Sequence, residues 1–268
     1  MAVTGIKTFL KGFPRMEFYS SFALFYDDFI KDVDYKSRAD YFNKIISSYI
    51  GEHGLLLDLA CGTGTLSIEL SKLGYEVIGV DASVEMLSLA REKAFEQNAE
   101  ILFLNQRMEE LDLYGTVDCC VCALDSLNHL TDIKLFEKAV ALVSLYLNQG
   151  GIFIFDLNSE YKHNNILADN CFVFENEDKM VIWRNNTAGN LTEITLDLFA
   201  KNKGNQWSRF SEEFSERAYS VSEVKEVIAK SGLELLAVYE GDTFSKPGEE
   251  CERLIFVTRK DKTDGQTC

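Results

Sequence analysis

The spacing of large apolar residues changes three times along the chain, and the changes divide it into four stretches with three patterns. Over residues 21–50 these residues recur every three to four positions, which predicts two amphipathic helices. From residue 55 short, continuous apolar runs alternate with helical patterns. Between 171 and 218 apolar and polar residues alternate singly, and the earlier rhythm returns at Tyr219.

The continuous apolar runs predict strands that are buried on both faces. Such strands, when they alternate with helices, form parallel sheets with helices packed on each side. The runs occupy residues 55–60, 76–81, 101–104, 117–124 and 152–157, with two later strands at 233–239 and 253–259. A helix over 135–147 is expected to stop at residues 148–151, which include two glycines. The predicted fold class is α/β, with a doubly wound, mostly parallel, seven-stranded Rossmann-like sheet.

The single alternation predicts a small antiparallel β insert, because each strand then has one apolar and one polar face. Turns are expected at 185–186 and 188–190. The aromatic residues of this region either form the insert's own core or line a pocket; they include Trp183, Trp207, Phe210 and Phe214. The expected domains are residues 1–50, residues 51–159 plus 219–260, and the insert 160–218.

Composition narrows the class of protein. The 268 residues are 46% hydrophobic, which is enough for a core, and no apolar run approaches the ~18 residues that span a membrane. The first residues do not form a secretory signal, so a cytoplasmic protein without a membrane partner is expected. The net charge of −16 disfavours general binding to nucleic-acid backbones. Most of this charge lies in 51–159, which favours a monomer or weak dimer and leaves a local RNA contact open elsewhere.

A glycine-containing loop carries the clearest chemical signal. The sequence C-G-T-G at 61–64 follows the first predicted strand, and a helix is expected to begin there. Glycine lets the backbone approach a ligand closely, and the helix directs its first amides toward that ligand. The second strand ends at Asp81, a carboxylate placed to reach the ribose hydroxyls of a cofactor. Because Ser67 replaces the third glycine of the dinucleotide pattern, a nicotinamide-dependent oxidoreductase is disfavoured.

The seven cysteines and three histidines are not spaced as a zinc site, and no metal is expected.

The segments D-L-A-C-G-T-G at 58–64 and V-I-G-V-D-A-S-V-E-M-L at 77–87 resemble motifs of the class I S-adenosylmethionine-dependent methyltransferases. The segments D-S-L-N-H-L at 125–130 and G-G-I-F-I-F-D-L at 150–157 are similar to a bacterial subgroup with an antiparallel insert after the fifth strand. The resemblance covers nearly the whole chain. It implies S-adenosyl-L-methionine as the cofactor and S-adenosyl-L-homocysteine as its product. It also implies that the N-terminal helices close over the cofactor and that the insert covers the cofactor site as a substrate-contacting lid.

The resemblance further implies a cofactor site built from several segments. The loop residues Ala60, Cys61, Gly62 and Gly64 would lie against the methionine part of the cofactor, and Asp58 would organise the loop. Asp58 is otherwise a hydrogen-bonded carboxylate at a strand end.

The same resemblance also implies which residues contact the ribose and the adenine of the cofactor. Asp81 would accept hydrogen bonds from both ribose hydroxyls, or else cap a helix. Ala82 and Met86 would pack near the adenine, although Met86 is equally suited to the core. Gln106 and the backbone of Met108 would hold the adenine.

Three more residues complete the implied cofactor site. Arg107 stands where many relatives have an acid, and it cannot accept a hydrogen bond from the adenine amino group. Tyr26 and Arg38 would lie near the cofactor carboxylate, which a guanidinium matches bidentately, although Arg38 is equally suited to the surface.

Two residues are candidates for catalysis near Leu124, where the methyl group should lie. Asp125 would orient a substrate or complement the sulfonium charge, or else cap a turn. His129 would accept a proton, or else pack or face solvent.

The predicted function is methyl transfer from S-adenosyl-L-methionine to a nitrogen or oxygen nucleophile of a small molecule. Two alternatives stay open: a regulatory protein that binds the cofactor without turnover, and an RNA (tRNA) methyltransferase.

Overall fold

The computed structural model of the protein describes residues 25–27, 33–51, 54–202, 204 and 206–261. The first of the two helices predicted over 21–50 lies largely outside the described residues, of which 25–27 are helical. The second helix is α1 (Tyr35–Ile50). It begins after Asp34, whose carboxylate accepts a hydrogen bond from the Ser37 amide at 2.9 Å and so satisfies a free donor of the first turn.

Seven strands form the central sheet. Their order across the sheet is β10-β11-β5-β4-β1-β2-β3, and β11 runs antiparallel to both of its neighbours while the other pairs are parallel. The strands are β1 (Leu55–Leu59), β2 (Glu76–Asp81), β3 (Ile101–Asn105), β4 (Val117–Cys122), β5 (Leu147–Asn158), β10 (Leu233–Glu240) and β11 (Arg253–Lys260). The helices between them are α2 (Thr65–Lys72), α3 (Val84–Glu96), α4 (Ile133–Tyr146) and α5 (Val221–Lys230).

The apolar runs are continuous because both faces of this sheet are covered. In β5, Phe153 and Phe155 pack on the side of α4 and α5, while Ile152 and Ile154 pack on the side of α1. All four side chains are fully buried. Successive residues of a strand point to opposite faces, so a strand buried on both sides has no position for a polar side chain without a partner.

Four antiparallel strands form the second sheet, in the order β6-β7-β8-β9. They are β6 (Cys171–Glu175), β7 (Lys179–Ala188), β8 (Leu191–Lys201) and β9 (Trp207–Arg217). The two sheets confirm the predicted fold class. The turn predicted at 188–190 is present between β7 and β8.

Two local predictions were wrong. No turn occurs at Asn185, because β7 continues through it and Asn185 pairs with Ile194 of β8, while its side chain accepts a hydrogen bond from the Trp183 indole. The fifth strand begins at Leu147 rather than 152, because Leu147 already pairs with Val117 of β4. In both cases long-range strand pairing outweighs a local turn signal.

In the described part of the chain no helix is both long enough and apolar enough to cross a membrane.

Candidate active site

A cleft opens at the carboxyl ends of β1 and β4, the edge at which sheets of this kind bind ligands. It holds about 320 Å³ of space. Ten residues line it: Tyr26, Tyr35, Asp58, Ala60, Cys61, Gly62, Leu66, Ala123, Leu124 and Ser126. Six of them were predicted as cofactor-binding residues, namely Tyr26, Asp58, Ala60, Cys61, Gly62 and Leu124.

The loop after β1 has a tightly coiled backbone. Ala60, Gly62 and Gly64 have φ angles of 60°, 54° and 72°, in the left-handed region. Gly64 is also constrained by packing, because a Cβ there would lie 2.8 Å from the Cβ of Ala90 in α3. The loop therefore presents its backbone to the cleft while α2 and α3 remain in close contact.

Asp81 at the end of β2 holds this loop in place. One carboxylate oxygen accepts a hydrogen bond from the Gly62 amide at 2.8 Å, and the other accepts one from the Ser83 amide at 2.8 Å. Burial raises the pKa of Asp81, and these backbone donors oppose that rise. Each oxygen retains acceptor capacity, which fits the two hydroxyls of a ribose.

Asp58 lies beneath the loop and is fully buried. The Ser67 hydroxyl of α2 donates a hydrogen bond of 2.5 Å to its carboxylate. Burial raises the pKa of Asp58 to about 7, although Ser67 lowers it. The serine that stands in place of a third glycine thus has a defined task, which is to hold the carboxyl group below the cleft.

The turn after β4 is strained. Leu124 and Asp125 are consecutive non-glycine residues with φ angles of 58° and 54°. Both of their amides donate to the carboxylate of Asp156 in β5, at 3.0 and 2.5 Å. Strain of this kind persists where the surroundings fix the backbone, and it concentrates at functional sites.

Two arginines neutralise Asp156, which is completely buried. Arg38 of α1 donates to it at 2.8 Å and pairs with Asp242 at 2.9 Å. Arg253 of β11 pairs with Asp156 and with Asp125, each at 2.6 Å. Burial is the largest single influence and favours the neutral form of Asp125, but Arg253, Lys162 and His129 together outweigh it and lower the pKa of that carboxyl group.

Residues 25–27 join three parts of the molecule. Asp27 accepts hydrogen bonds from Thr63 in the glycine loop at 2.7 Å and from Lys93 of α3 at 2.9 Å. Phe25 packs into the apolar face of the second sheet, with its ring 6.2 Å from that of Phe210. Tyr26, between them, faces the cleft.

His129 lies on the same turn as Ser126, at the side of the cleft nearer the second sheet. Its ring packs 5.1 Å from that of Phe214 of β9, and its Nε2 lies 3.9 Å from a carboxylate oxygen of Glu216. Burial lowers the pKa of His129, although Asp125 and Asp81 oppose this. Its side chain is 42% exposed, so it faces both the solvent and a buried carboxyl group.

Known proteins match this chain along most of its length. A family model described as a methyltransferase domain matches residues 56–151. YqeM of Bacillus subtilis (strain 168), which carries a provisional methyltransferase name, is 34% identical over 247 residues, or 91% of this chain and 98% of its own. The chain belongs to the S-adenosylmethionine-dependent methyltransferases.

Solved structures support the same assignment. The crystal structure of an S-adenosylmethionine-dependent methyltransferase from Clostridium acetobutylicum ATCC 824 has a TM-score of 0.84 and 31% identity, covering 91% of this chain and 100% of that one. The sugar N-methyltransferase KedS8 from Streptoalloteichus sp ATCC 53650 shares the fold, with a TM-score of 0.74 at 21% identity over 97% and 99% of the two chains. The protein is therefore a class I methyltransferase that uses S-adenosyl-L-methionine.

In this methyltransferase the residues predicted to flank the adenine begin α3. The Ser83 hydroxyl accepts a hydrogen bond from the Met86 amide at 3.1 Å, which caps the helix. The Ala82 carbonyl accepts one from the Asn105 side chain at 2.8 Å. Ala82 and Met86 are thus held by local bonds beside Asp81.

The 106–112 turn of the methyltransferase uses the side chains of Gln106 and Arg107 internally. The amide group of Gln106 bonds to both the backbone amide and the carbonyl of Asp112, at 2.8 and 2.9 Å. Arg107 donates to Glu109 at 2.5 Å, and Met108 packs against the core. Both polar side chains thus have partners within the turn, and Gln106 keeps a second N–H donor and a second acceptor lone pair.

Sequence reasoning on the methyltransferase missed Asp156, Tyr35 and Glu216. A signal for Asp156 was present, because it is an acid inside the apolar run of β5. Glu216 had a similar signal, since it occupies the apolar face of the alternating β9 pattern. Tyr35 had no such signal, because it reaches the cleft only through the packing of α1. Among the described residues no group of three or more metal-ligating side chains occurs.

Proposed function

We propose that this methyltransferase transfers the methyl group to a nitrogen or oxygen nucleophile of a small molecule bound between the cleft and the β6–β9 sheet. The observation that carries this proposal is the contact of His129 with Phe214, because it joins the turn after β4 to the apolar face of the second sheet. S-adenosyl-L-methionine supplies an already activated methyl group, so the protein contributes mainly proximity and alignment.

The residues of the cleft suit the cofactor. The Gly62 backbone would lie against the methionine part, and Asp81 would accept from the ribose hydroxyls. Asp58 and Ser67 would support the loop from below. Arg38 is held between Asp156 and Asp242, so it would act on the cofactor by fixing the turn at Leu124 rather than by direct pairing.

The face of the second sheet that meets the cleft favours a small acceptor over a nucleic acid. Trp183, Phe210 and Phe214 lie on that face with the carboxyl groups of Glu212 and Glu216. A phosphate backbone requires cations there instead. KedS8, a sugar N-methyltransferase with the same fold, supports a nitrogen acceptor.

We further propose that residues 1–50 and the insert 160–218 enclose the site while 51–159 and 219–260 hold the cofactor. A monomer or weak dimer is expected, as is a cytoplasmic location.

Calorimetry with S-adenosyl-L-homocysteine tests the cofactor site. We expect Asp81→Asn to weaken binding by about tenfold or more, since it removes a charged acceptor shared by the loop and the ribose. The control Glu96→Gln, on the exposed end of α3, should bind as the wild type does. Equal affinity of all three proteins for S-adenosyl-L-homocysteine would show that Asp81 does not contribute to cofactor binding.

Incubation with trideuteromethyl-labelled cofactor and separate pools of small amines, small hydroxyl compounds and tRNA tests the acceptor class. We expect mass-shifted products in a small-molecule pool. Labelled tRNA alone would establish the RNA alternative. Tight binding without label transfer to any pool would favour the regulatory one.

A further inference from the structure

Glu216 is a buried carboxyl group at the end of β9, and among the described residues the basic side chains within 4 Å of it are two histidines. Its side chain is 5% exposed. One oxygen lies 3.9 Å from Nε2 of His129, and the other lies 3.7 Å from Nε2 of His163. The side-chain amide of Asn158 donates to it at 3.2 Å. A buried carboxylate is costly unless it is paired and hydrogen-bonded, and neutral imidazoles compensate it poorly.

His163 forms the closed side of this group. It is completely buried, and its Nδ1 lies 3.0 Å from the Thr192 hydroxyl. Its Nε2 has no hydrogen-bond partner among the residues that the structure describes. Burial lowers the pKa of His163 to about 4, so it stays neutral and cannot balance the charge of Glu216.

His129 forms the open side. Its side chain is exposed, unlike the other partners of Glu216 in the described part of the chain, and it shares a turn with Ser126, which lines the cleft. Distances of 3.9 Å between catalytic groups commonly shorten when a substrate is bound. His129 therefore lies between the cleft and a buried group that can take up a proton.

The charged groups around Glu216 come from three other elements, and they oppose one another. Burial is the largest influence and raises the pKa of Glu216 to about 8, with a further rise from Asp125. The groups that face it are His129 and Asp125 from the turn after β4, Lys162 and His163 from the turn at Lys162–Leu167, and Arg253 from β11. Lys162 and Arg253 lower the pKa only in part, so the carboxyl group titrates close to neutral pH.

We propose that Glu216 is a positioning residue that acts through His129 to receive the proton of an ammonium group, and that the acceptor is therefore an amine. This inference rests on the proposed function, because it requires methyl transfer at the adjoining cleft. It deepens that function by choosing nitrogen over oxygen.

The proton step balances without any further reactant. The N–H bond of the ammonium breaks, and its electron pair stays on nitrogen as the lone pair that receives the methyl group. The proton passes to Nδ1 of His129, while the proton on Nε2 passes to Glu216. The acceptor loses one positive charge, and the carboxylate loses one negative charge.

The proton affinities favour an amine. Ammonium groups have pKa values of about 8 to 10, within reach of a carboxyl and imidazole pair, whereas an alcohol holds its proton far more tightly. Two carboxyl groups on the same face of β9, Glu212 and Glu216, also attract a cation to this mouth.

Histidine NMR tests the coupling between Glu216 and His129 in the absence of a methyl acceptor. The chain has three histidines, so ¹³C-histidine labelling gives three Cε1–H signals, which His129→Gln and His163→Gln assign. In the wild type bound to S-adenosyl-L-homocysteine, we expect the His129 signal to show a step centred near pH 8 that reports Glu216. Glu216→Gln should abolish the step, and Glu213→Gln, on the opposite face of β9, should keep it. A step that survives Glu216→Gln overturns the inference.

Kinetics with an amine identified in the labelled pools gives the second readout. We expect Glu216→Gln to lower kcat by about 100-fold at about pH 9, where the wild-type carboxyl group is ionised, with KM for the cofactor within about twofold; this is the usual size of a proton-transfer contribution. The rise of kcat through about pH 8 should vanish. Glutamine keeps the size and the hydrogen bonds of the side chain, so a merely structural role predicts unchanged kcat.

His129→Gln, at the exposed side, provides a variant that does not disturb the core. It should lose kcat to the same extent, and normal turnover would overturn the inference. A wild type that binds S-adenosyl-L-homocysteine but methylates hydroxyl compounds alone would also overturn it while leaving the proposed function intact. Absence of cofactor binding would instead defeat the proposed function itself.

Discussion

The turn after β4 and the inner face of the β6–β9 sheet border the same cleft, yet the charges of their buried carboxyl groups are compensated to very different extents. Asp156 under the turn has two guanidinium partners and two backbone amides. Glu216 on the sheet has two imidazoles and one side-chain amide. A fully compensated carboxylate fixes geometry, whereas a poorly compensated one is free to exchange its proton. On the proposed function, the side of the site assigned to the cofactor is therefore rigidly specified, and the side assigned to the acceptor is where chemistry and specificity can vary.

The largest expected effect comes from removing the charge of Asp156. Asp156→Asn leaves Arg38 and Arg253 buried without their shared partner, and we expect the free energy of unfolding to fall by about 3 kcal/mol or more. Denaturant unfolding measures it. Asp242→Asn removes the half-exposed second partner of Arg38 and should cost less than about 1 kcal/mol. Equal losses of unfolding free energy in the two variants would contradict the conclusion that Asp156 fixes the turn after β4.

The glycine loop offers the next test. In Gly64→Ala the new Cβ would be attached to a backbone with a left-handed φ of 72° and would lie 2.8 Å from the Cβ of Ala90. We expect the strain and the overlap together to lower the free energy of unfolding by about 3 kcal/mol. Gly189→Ala has a similar φ of 64° but nothing within 4 Å, so it isolates the strain at about 1 kcal/mol. Thermal unfolding of both variants shows whether the overlap contributes; identical values would exclude it.

The effect of Ser67→Ala on the free energy of unfolding should depend on pH, because Ser67 is bonded to the buried carboxyl group of Asp58. The folded-state pKa of Asp58, about 7, exceeds its ordinary value, so its contribution to stability is present at low pH and is lost as the pH rises through about 7. Without the hydrogen-bond donor this loss is larger. We therefore expect Ser67→Ala to lower the free energy of unfolding by about 2 kcal/mol at pH 8 and by about 1 kcal/mol at pH 5.

Ser71→Ala serves as the control for this pH dependence. Its hydroxyl bonds only to the Ile68 carbonyl, one turn along the same helix, so its cost should not change with pH. A pH-independent loss in Ser67→Ala would mean that Asp58 does not titrate in this range.

The smallest effect is expected on the acceptor side. Burial raises the pKa of Glu212, so ionisation there costs stability. Glu212→Gln should raise the free energy of unfolding at pH 8 by less than about 0.5 kcal/mol after solvent screening, and should change nothing at pH 4, where the carboxyl group is protonated. Glu213→Gln on the outer face should have no effect at either pH. A destabilised Glu212→Gln would show that this carboxyl group has a partner that stabilises its charge.

The same contrast explains which features the sequence predicts. The glycine loop, Asp81 at the end of β2 and the serine caps are local patterns, in which a few neighbouring residues determine the backbone. The role of Asp156 depends on Arg38, which is 118 positions away in the chain, and no local pattern reports such a pair.

The acceptor side is harder to predict for the same reason. His129 is recognisable as a candidate base, but the carboxyl group that faces it is contributed by β9, the last strand of the insert, 87 positions further along the chain. The wrongly predicted turn at Asn185 has the same origin, since pairing with β8 determined the local structure.

The side chain of Asn128 links the two sheets at the points where the chain crosses between them. The amide nitrogen of Asn128 donates to the carbonyl of Asn158, where β5 ends, at 3.3 Å, and to that of Arg217, where β9 ends, at 2.7 Å. The segment from 159 to 216 thus leaves and re-enters the seven-stranded sheet at neighbouring positions. Such a segment can be lengthened, shortened or exchanged as a module, because its replacement leaves the ends that it connects in place. The methyltransferase sheet can in this way acquire a new acceptor while its cofactor site is preserved.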